Sequence, residues 1–126
     1  MVRHAPGFLR LVDAARTRIR EIEADELAQQ LSQQPDAVLL DVREADEYAA
    51  GHVAGAEHLG KGVIERDIEA RHPDLSTPLY LYCGGGYRSA LAADALTQMG
   101  YRNVVSVNGG WRALQSLMPT TGPTAG

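Results

Sequence analysis

The 126-residue sequence holds a single cysteine, Cys83. That excludes a disulfide within the chain and removes the ligands of a cysteine-based zinc site. The four histidines, His4, His52, His58 and His72, have no metal-ligand spacing, so no metal site is expected from them. No run approaches the roughly 18 apolar residues of a membrane helix. Met1 to Arg20 carries basic residues throughout, lacks an apolar stretch ending in a small-residue cleavage site, and does not read as a secretory signal. With a net charge of −4 there is no basic excess to mark a nucleic-acid or membrane surface. Repeats are absent. A cytoplasmic protein without nucleic-acid or membrane partners is the expectation, and a lone cysteine suits a reducing compartment.

What remains is one ordinary domain. Apolar residues make up 44% and charged residues 22%, near the average for a soluble globular chain and enough for a core. Phe8, Leu9, Leu11, Val12, Ala15 and Ile19 recur at helical spacing with arginines between them. This N-terminal extension, residues 1–20, reads as an amphipathic helix that either lids the core or meets a partner. A second helix is expected over 24–33, a short one over Glu44–Ala50, and others over Val63–Arg71, Arg88–Met99 and the stretch after Gly109 and Gly110. Ala37–Asp41, Ala56–Leu59, Leu79–Tyr82 and Asn103–Val107 read as strands, with a loop at Gly51–Gly55. Residues 119–126, rich in Pro, Thr, Gly and Ala, are expected to fray as a flexible tail. Apolar strands without polar alternation, separated by helices, predict an α/β fold whose parallel sheet is covered on both faces. Ligands of such sheets sit at the carboxyl ends of the strands, where Asp41 and Cys83 both fall.

Cys83 ends a buried strand and leads into Gly84, Gly85 and Gly86, then Tyr87, Arg88 and a helix. Glycines let successive N–H groups turn inward, the helix adds the positive end of its dipole, and Arg88 adds a full charge. All three stabilise a thiolate, the nucleophilic form of cysteine. The glycines lack the Gly-Lys-Ser/Thr of a phosphate-binding loop and do not make a dinucleotide fingerprint. Ser89 lacks a nucleophile elbow and is expected to cap the helix or lie on its surface.

Three segments in order resemble the rhodanese-like family: LLDVREADEYAAGHVAGAEHL (39–59), CGGGYRSA (83–90) and VNGGWRALQ (107–115). The resemblance covers about residues 20–118. It implies a central, mostly parallel five-stranded sheet with helices on both faces. It also implies a sulfurtransferase in which Cys83 accepts sulfur and Gly84, Gly85, Gly86, Tyr87 and Arg88 bind the substrate. Asp41 and Arg43 match the family's Asp-x-Arg and would support the pocket or tie loops together as an ion pair. His52, Glu44, Glu47 and Tyr48 match scaffold positions, and Trp111 would be core or pocket wall.

Related cell-cycle phosphatases have one residue more between cysteine and arginine; here Arg88 follows Cys83 after four, with Ser89 at the phosphatase arginine position. The family mechanism is double displacement through a Cys83 persulfide, with no cofactor. The partners implied are a small sulfur compound or a protein persulfide donor, with the chain a monomer or weak homodimer. Because Gly84, Gly85 and Tyr87 are not basic, thiosulfate is expected to be a weak donor beside a persulfide. The alternative is a non-catalytic sulfur-carrier or protein-binding module.

Overall fold

A computed structural model describes residues 4–123. Five strands form one sheet: β1 (Arg20–Glu23), β2 (Val38–Asp41), β4 (Glu57–His58), β5 (Leu79–Tyr82) and β6 (Val104–Asn108). Their spatial order is β1-β6-β5-β2-β4, and every pairing is parallel, so the sheet is wholly rather than mostly parallel.

The alternation of side chains splits the core in two. Leu40, Leu79, Leu81 and Val104 point to one face, where they pack with Ile64 and Ile68 of α4 (Ile64–Arg71) and with Ala92, Ala93 and Leu96 of α5 (Tyr87–Gln98). Leu39, Tyr80, Tyr82, Val105 and Val107 point to the other, against Leu27 of α2 (Leu27–Gln33) and Leu114 of α6 (Gly110–Leu114). Burial on both faces is why these strands read as unbroken apolar runs. The short helix α3 (Ala45–Ala50) starts at a capping box in which Glu44 and Glu47 reciprocally satisfy each other's backbone N–H groups.

Two elements depart from expectation. Strand β1, of sequence REIE, buries only Ile22, so it lacks the apolar run that identified the others. The tail does not simply fray: Thr120–Thr121 (β7) pairs antiparallel with His52–Val53 (β3), inside the stretch expected to be a loop. The last three residues of that tail lie outside the described residues.

The N-terminal helix α1 (Pro6–Arg16) packs on α5 of the same chain, burying Val12 and Ala15, while Leu11 is 62% exposed. Just beyond it, the Arg18 guanidinium grips both carboxylate oxygens of Asp94 on α5, at 2.9 and 2.7 Å. No helix among the described residues is long and apolar enough to cross a membrane.

Candidate functional site

The turn after β5 is built around one sulfur atom. Cys83 is 1% exposed, and its Sγ accepts hydrogen bonds from the backbone N–H of Gly86 at 3.2 Å and of Ser89 at 3.3 Å. These are the N-cap and an early N–H of α5, groups with no partner inside their own helix. The sulfur thus sits at the positive end of a twelve-residue helix dipole. Gly86 makes the turn possible: its φ is +103°, and a Cβ there would lie 3.1 Å from Asn108 Oδ1.

Helix α6 holds the loop from the opposite side. Trp111 donates its backbone N–H to the Cys83 carbonyl at 2.7 Å, and Arg112 donates to the Gly84 carbonyl at 3.1 Å.

Behind the sulfur, Ser89 is fully buried rather than on the helix surface, and the N-cap of α5 is Gly86, with no side-chain cap. Its hydroxyl is 3.5 Å from Sγ and pairs at 2.8 Å with the hydroxyl of Ser106, itself buried in β6. The two hydroxyls satisfy each other inside the core, which removes the cost of burying either alone.

A cavity of about 290 Å³ opens over the loop, lined by Cys83, Gly84, Gly85, Tyr87, Arg88, Arg112, His4 and Phe8. The sequence-derived residues Gly84, Gly85, Tyr87 and Arg88 therefore meet at the cavity with Cys83, while Gly86 stands behind it. Arg88 does not face the cavity as a free charge. Its guanidinium binds Glu47 through two contacts of 2.8 and 3.2 Å, and this bond holds the Glu47 carboxyl below the usual carboxylate range. Arg112, by contrast, is exposed and has no carboxylate partner among the described residues.

Asp41 and Arg43 lie outside the cavity lining, in a fully packed ion pair. The Asp41 carboxylate accepts the Arg43 backbone N–H at 3.0 Å and its Nη2 at 2.7 Å. The same Nη2 donates to the Gly51 carbonyl, and the guanidinium lies 4.8 Å from the Trp111 ring centroid. The pair thus reaches the Cys83 carbonyl through Trp111. His52 donates its Nδ1–H to the Tyr48 carbonyl at 2.8 Å and stacks on the Tyr48 ring at 3.7 Å, away from the cavity.

Sequence reasoning missed Arg112, Phe8, His4 and the Ser89–Ser106 pair. Ser106 left a trace, as a polar residue in the apolar run VVSVN. The others reach the cavity only through the docking of α1 and α6, which no local pattern records.

The family model of the rhodanese-like domain matches residues 23–117. Thiosulfate sulfurtransferase GlpE of Pseudomonas putida is 40% identical over 91 residues, 70% of this chain and 81% of that protein. Its counterpart in Pseudomonas entomophila is 39% identical over 83 residues, 66% of this chain and 74% of that protein. Among solved structures, a Rhodopseudomonas palustris protein described as of unknown function and a possible tyrosine phosphatase gives a TM-score of 0.74 at 26% identity, covering 92% of this chain and 95% of that one. A rhodanese-like domain from Anabaena gives 0.73 at 27% identity, covering 81% and 78%. A match across three quarters of the sequence, joined to a cysteine at the carboxyl edge of an all-parallel sheet, settles the lineage: this chain belongs to the rhodanese-like domain family.

Proposed function

We propose that this protein is a sulfurtransferase that carries sulfur on Cys83 as a persulfide, taking it from thiosulfate or a persulfide and passing it to a thiophilic acceptor. The observation that carries the proposal is the Cys83 sulfur beneath an open cavity, receiving two backbone N–H groups at 3.2 and 3.3 Å. Relatives named thiosulfate sulfurtransferase, at about 40% identity, support the same reading.

In the first step the Cys83 thiolate attacks the outer sulfur of thiosulfate. The S–S bond of the donor breaks, sulfite leaves with the electron pair, and Cys83 holds the sulfur as a persulfide anion. In the second, cyanide attacks the outer persulfide sulfur and leaves as thiocyanate, returning the thiolate. This is covalent nucleophilic catalysis with ping-pong kinetics. The N–H groups of Gly86 and Ser89 hold negative charge at Sγ, and Gly84 and Gly85 leave the approach open. Arg112 anchors the anionic end of the donor. Arg88, bound to Glu47, fixes the loop, as the Asp41–Arg43 pair does through Trp111.

The loop argues against phosphate-ester hydrolysis. Arg88 is committed to Glu47, and Ser89 stands buried where the longer phosphatase loop has its arginine.

Intact-protein mass tests the proposal. After incubation with thiosulfate the protein is expected to gain one sulfur, about 32 Da, and to lose it on adding cyanide. No gain with thiosulfate or with glutathione persulfide would overturn the proposal in favour of the non-catalytic module.

Arg112 makes a second prediction. Arg112→Gln is expected to raise the KM for thiosulfate about tenfold with a smaller change in kcat, because it removes a charge that binds the donor throughout the reaction. Steady-state kinetics with cyanide as acceptor would measure this; an unchanged KM removes Arg112 from the site.

A further inference from the structure

We propose that α1 is a specificity element, and that the wall it builds with Tyr87 selects sulfur donors with one negative charge and an apolar body, such as organic thiosulfonates, over inorganic thiosulfate. This rests on the sulfurtransferase reading above and names the donor class.

The helix lies outside the matched residues 23–117, yet it supplies Phe8 and, from just before its start, His4 to the cavity over Cys83. Both side chains gather on Tyr87. The His4 ring lies 4.2 Å from the Tyr87 ring centroid, Phe8 lies 6.2 Å from it in a stacked orientation, and the two α1-side rings are 5.3 Å apart. The Arg16 guanidinium covers Tyr87 at 4.9 Å, and Arg16 is held in turn by Glu21 at 3.2 Å. The wall is fixed to the body by the buried Val12 and Ala15 and by the paired Arg18–Asp94 contacts. One side of the cavity is therefore three rings locked to one another and to α5.

Charge on the other side is sparse. The Arg88 charge is taken up by Glu47, which leaves Arg112 as the cavity-lining arginine without a carboxylate partner among the described residues. A dianion would meet one arginine without a carboxylate partner and a wall of rings whose polar groups, the His4 nitrogens and the Tyr87 hydroxyl, replace little of its hydration. It would also approach a thiolate, so its second charge adds repulsion. A monoanion with an apolar body suits both sides: its charge on Arg112, its body on the rings. The cavity, about 290 Å³, falls at the lower edge of the ~300–1,000 Å³ typical of small-molecule pockets, leaving room for such a body.

The chemistry balances without a further reactant. The Cys83 thiolate attacks the outer sulfur of R–SO2–S⁻, the S–S bond breaks, and the sulfinate R–SO2⁻ leaves with the electron pair. Cys83 is left as the persulfide anion.

Thiosulfonates and thiosulfate differ in intrinsic reactivity, so the readout is how their ratio changes between variants. kcat/KM is measured for benzenethiosulfonate and for thiosulfate with cyanide as acceptor, in the native protein, Phe8→Ala, Phe8→Leu and Leu11→Ala. The benzenethiosulfonate-to-thiosulfate ratio is expected to fall five- to tenfold, on the order of one lost aromatic contact, in Phe8→Ala. Phe8→Leu keeps apolar bulk and should retain most of the ratio. Leu11→Ala, on the exposed side of the same helix, should leave it at the native value and thereby exclude a general loosening of α1. An unchanged ratio in Phe8→Ala, with Cys83 still loaded by both donors, overturns the wall as a selector and leaves the sulfurtransferase standing. No sulfur gain from either donor overturns both.

Discussion

Cys83→Ser is expected to take sulfur transfer to the uncatalysed background while leaving the fold in place. Serine keeps the side-chain shape and can still accept the Gly86 and Ser89 N–H groups that now point at Sγ. It can also remain hydrogen-bonded beside the Ser89 hydroxyl. Its hydroxyl, however, stays protonated near neutral pH and cannot hold a sulfane sulfur. Removing the nucleophile of a covalent mechanism costs at least about three orders of magnitude in turnover. The stability change should stay within about 1 kcal/mol, because no buried polar group loses its partner. Thiocyanate formation and a thermal melt on the same preparation separate the two effects. Residual turnover above background would place the chemistry on another group, and a large loss of melting temperature would mean that the thiol is chiefly a core residue.

The fold was legible in the sequence wherever burial is two-sided. Ala37–Asp41, Leu79–Tyr82 and Asn103–Val107 each read as a strand because the apolar residues in each feed both faces of the sheet. Strand β1 was not, since REIE buries one residue in four and takes its place only by pairing with β6. The β3–β7 pair was hidden for a similar reason. Two residues on each side, one of them in a Pro- and Thr-rich tail, carry no periodicity, and the pairing is made by tertiary approach.

The site divides along the same line. Cys83, its glycines, Tyr87 and Arg88 are contiguous, so the strand-to-helix turn that makes them a cradle is written in consecutive residues. Ser106 and Arg112 come from later elements, and Phe8 and His4 from the far end of the chain. Their arrival at the cavity depends on how α1 and α6 dock. Asp41 and Arg43 were legible as a pair, while their route to the loop, through the face of Trp111, belongs to the packing.

That packing leaves no room at Gly110, and this yields the second large effect. Gly110→Ala is expected to cost about 3 kcal/mol or more of stability and to lower sulfur transfer more than tenfold, well beyond an ordinary surface substitution. Gly110 begins α6 at φ +50°, in the left-handed region. A Cβ there would lie 2.3 Å from the Cys83 carbonyl oxygen and 2.9 Å from the carbonyl carbon and oxygen of Gly84. All three are backbone atoms, so no side chain can rotate away. Either α6 or the Cys83 loop has to move. Movement breaks the Trp111 N–H bond to Cys83 and the Arg112 N–H bond to Gly84, which are the grip of α6 on the Cys83 turn. Arg112 would leave the cavity with its helix. Gly62→Ala makes the comparison: nothing lies within 4 Å of a Cβ there and its φ is not positive, so its stability should stay within about 0.5 kcal/mol of native. Denaturant melts of both variants, with the KM for thiosulfate measured on whatever fraction folds, read the result. A Gly110→Ala protein as stable and as active as the native one would mean that α6 does not hold the Cys83 loop.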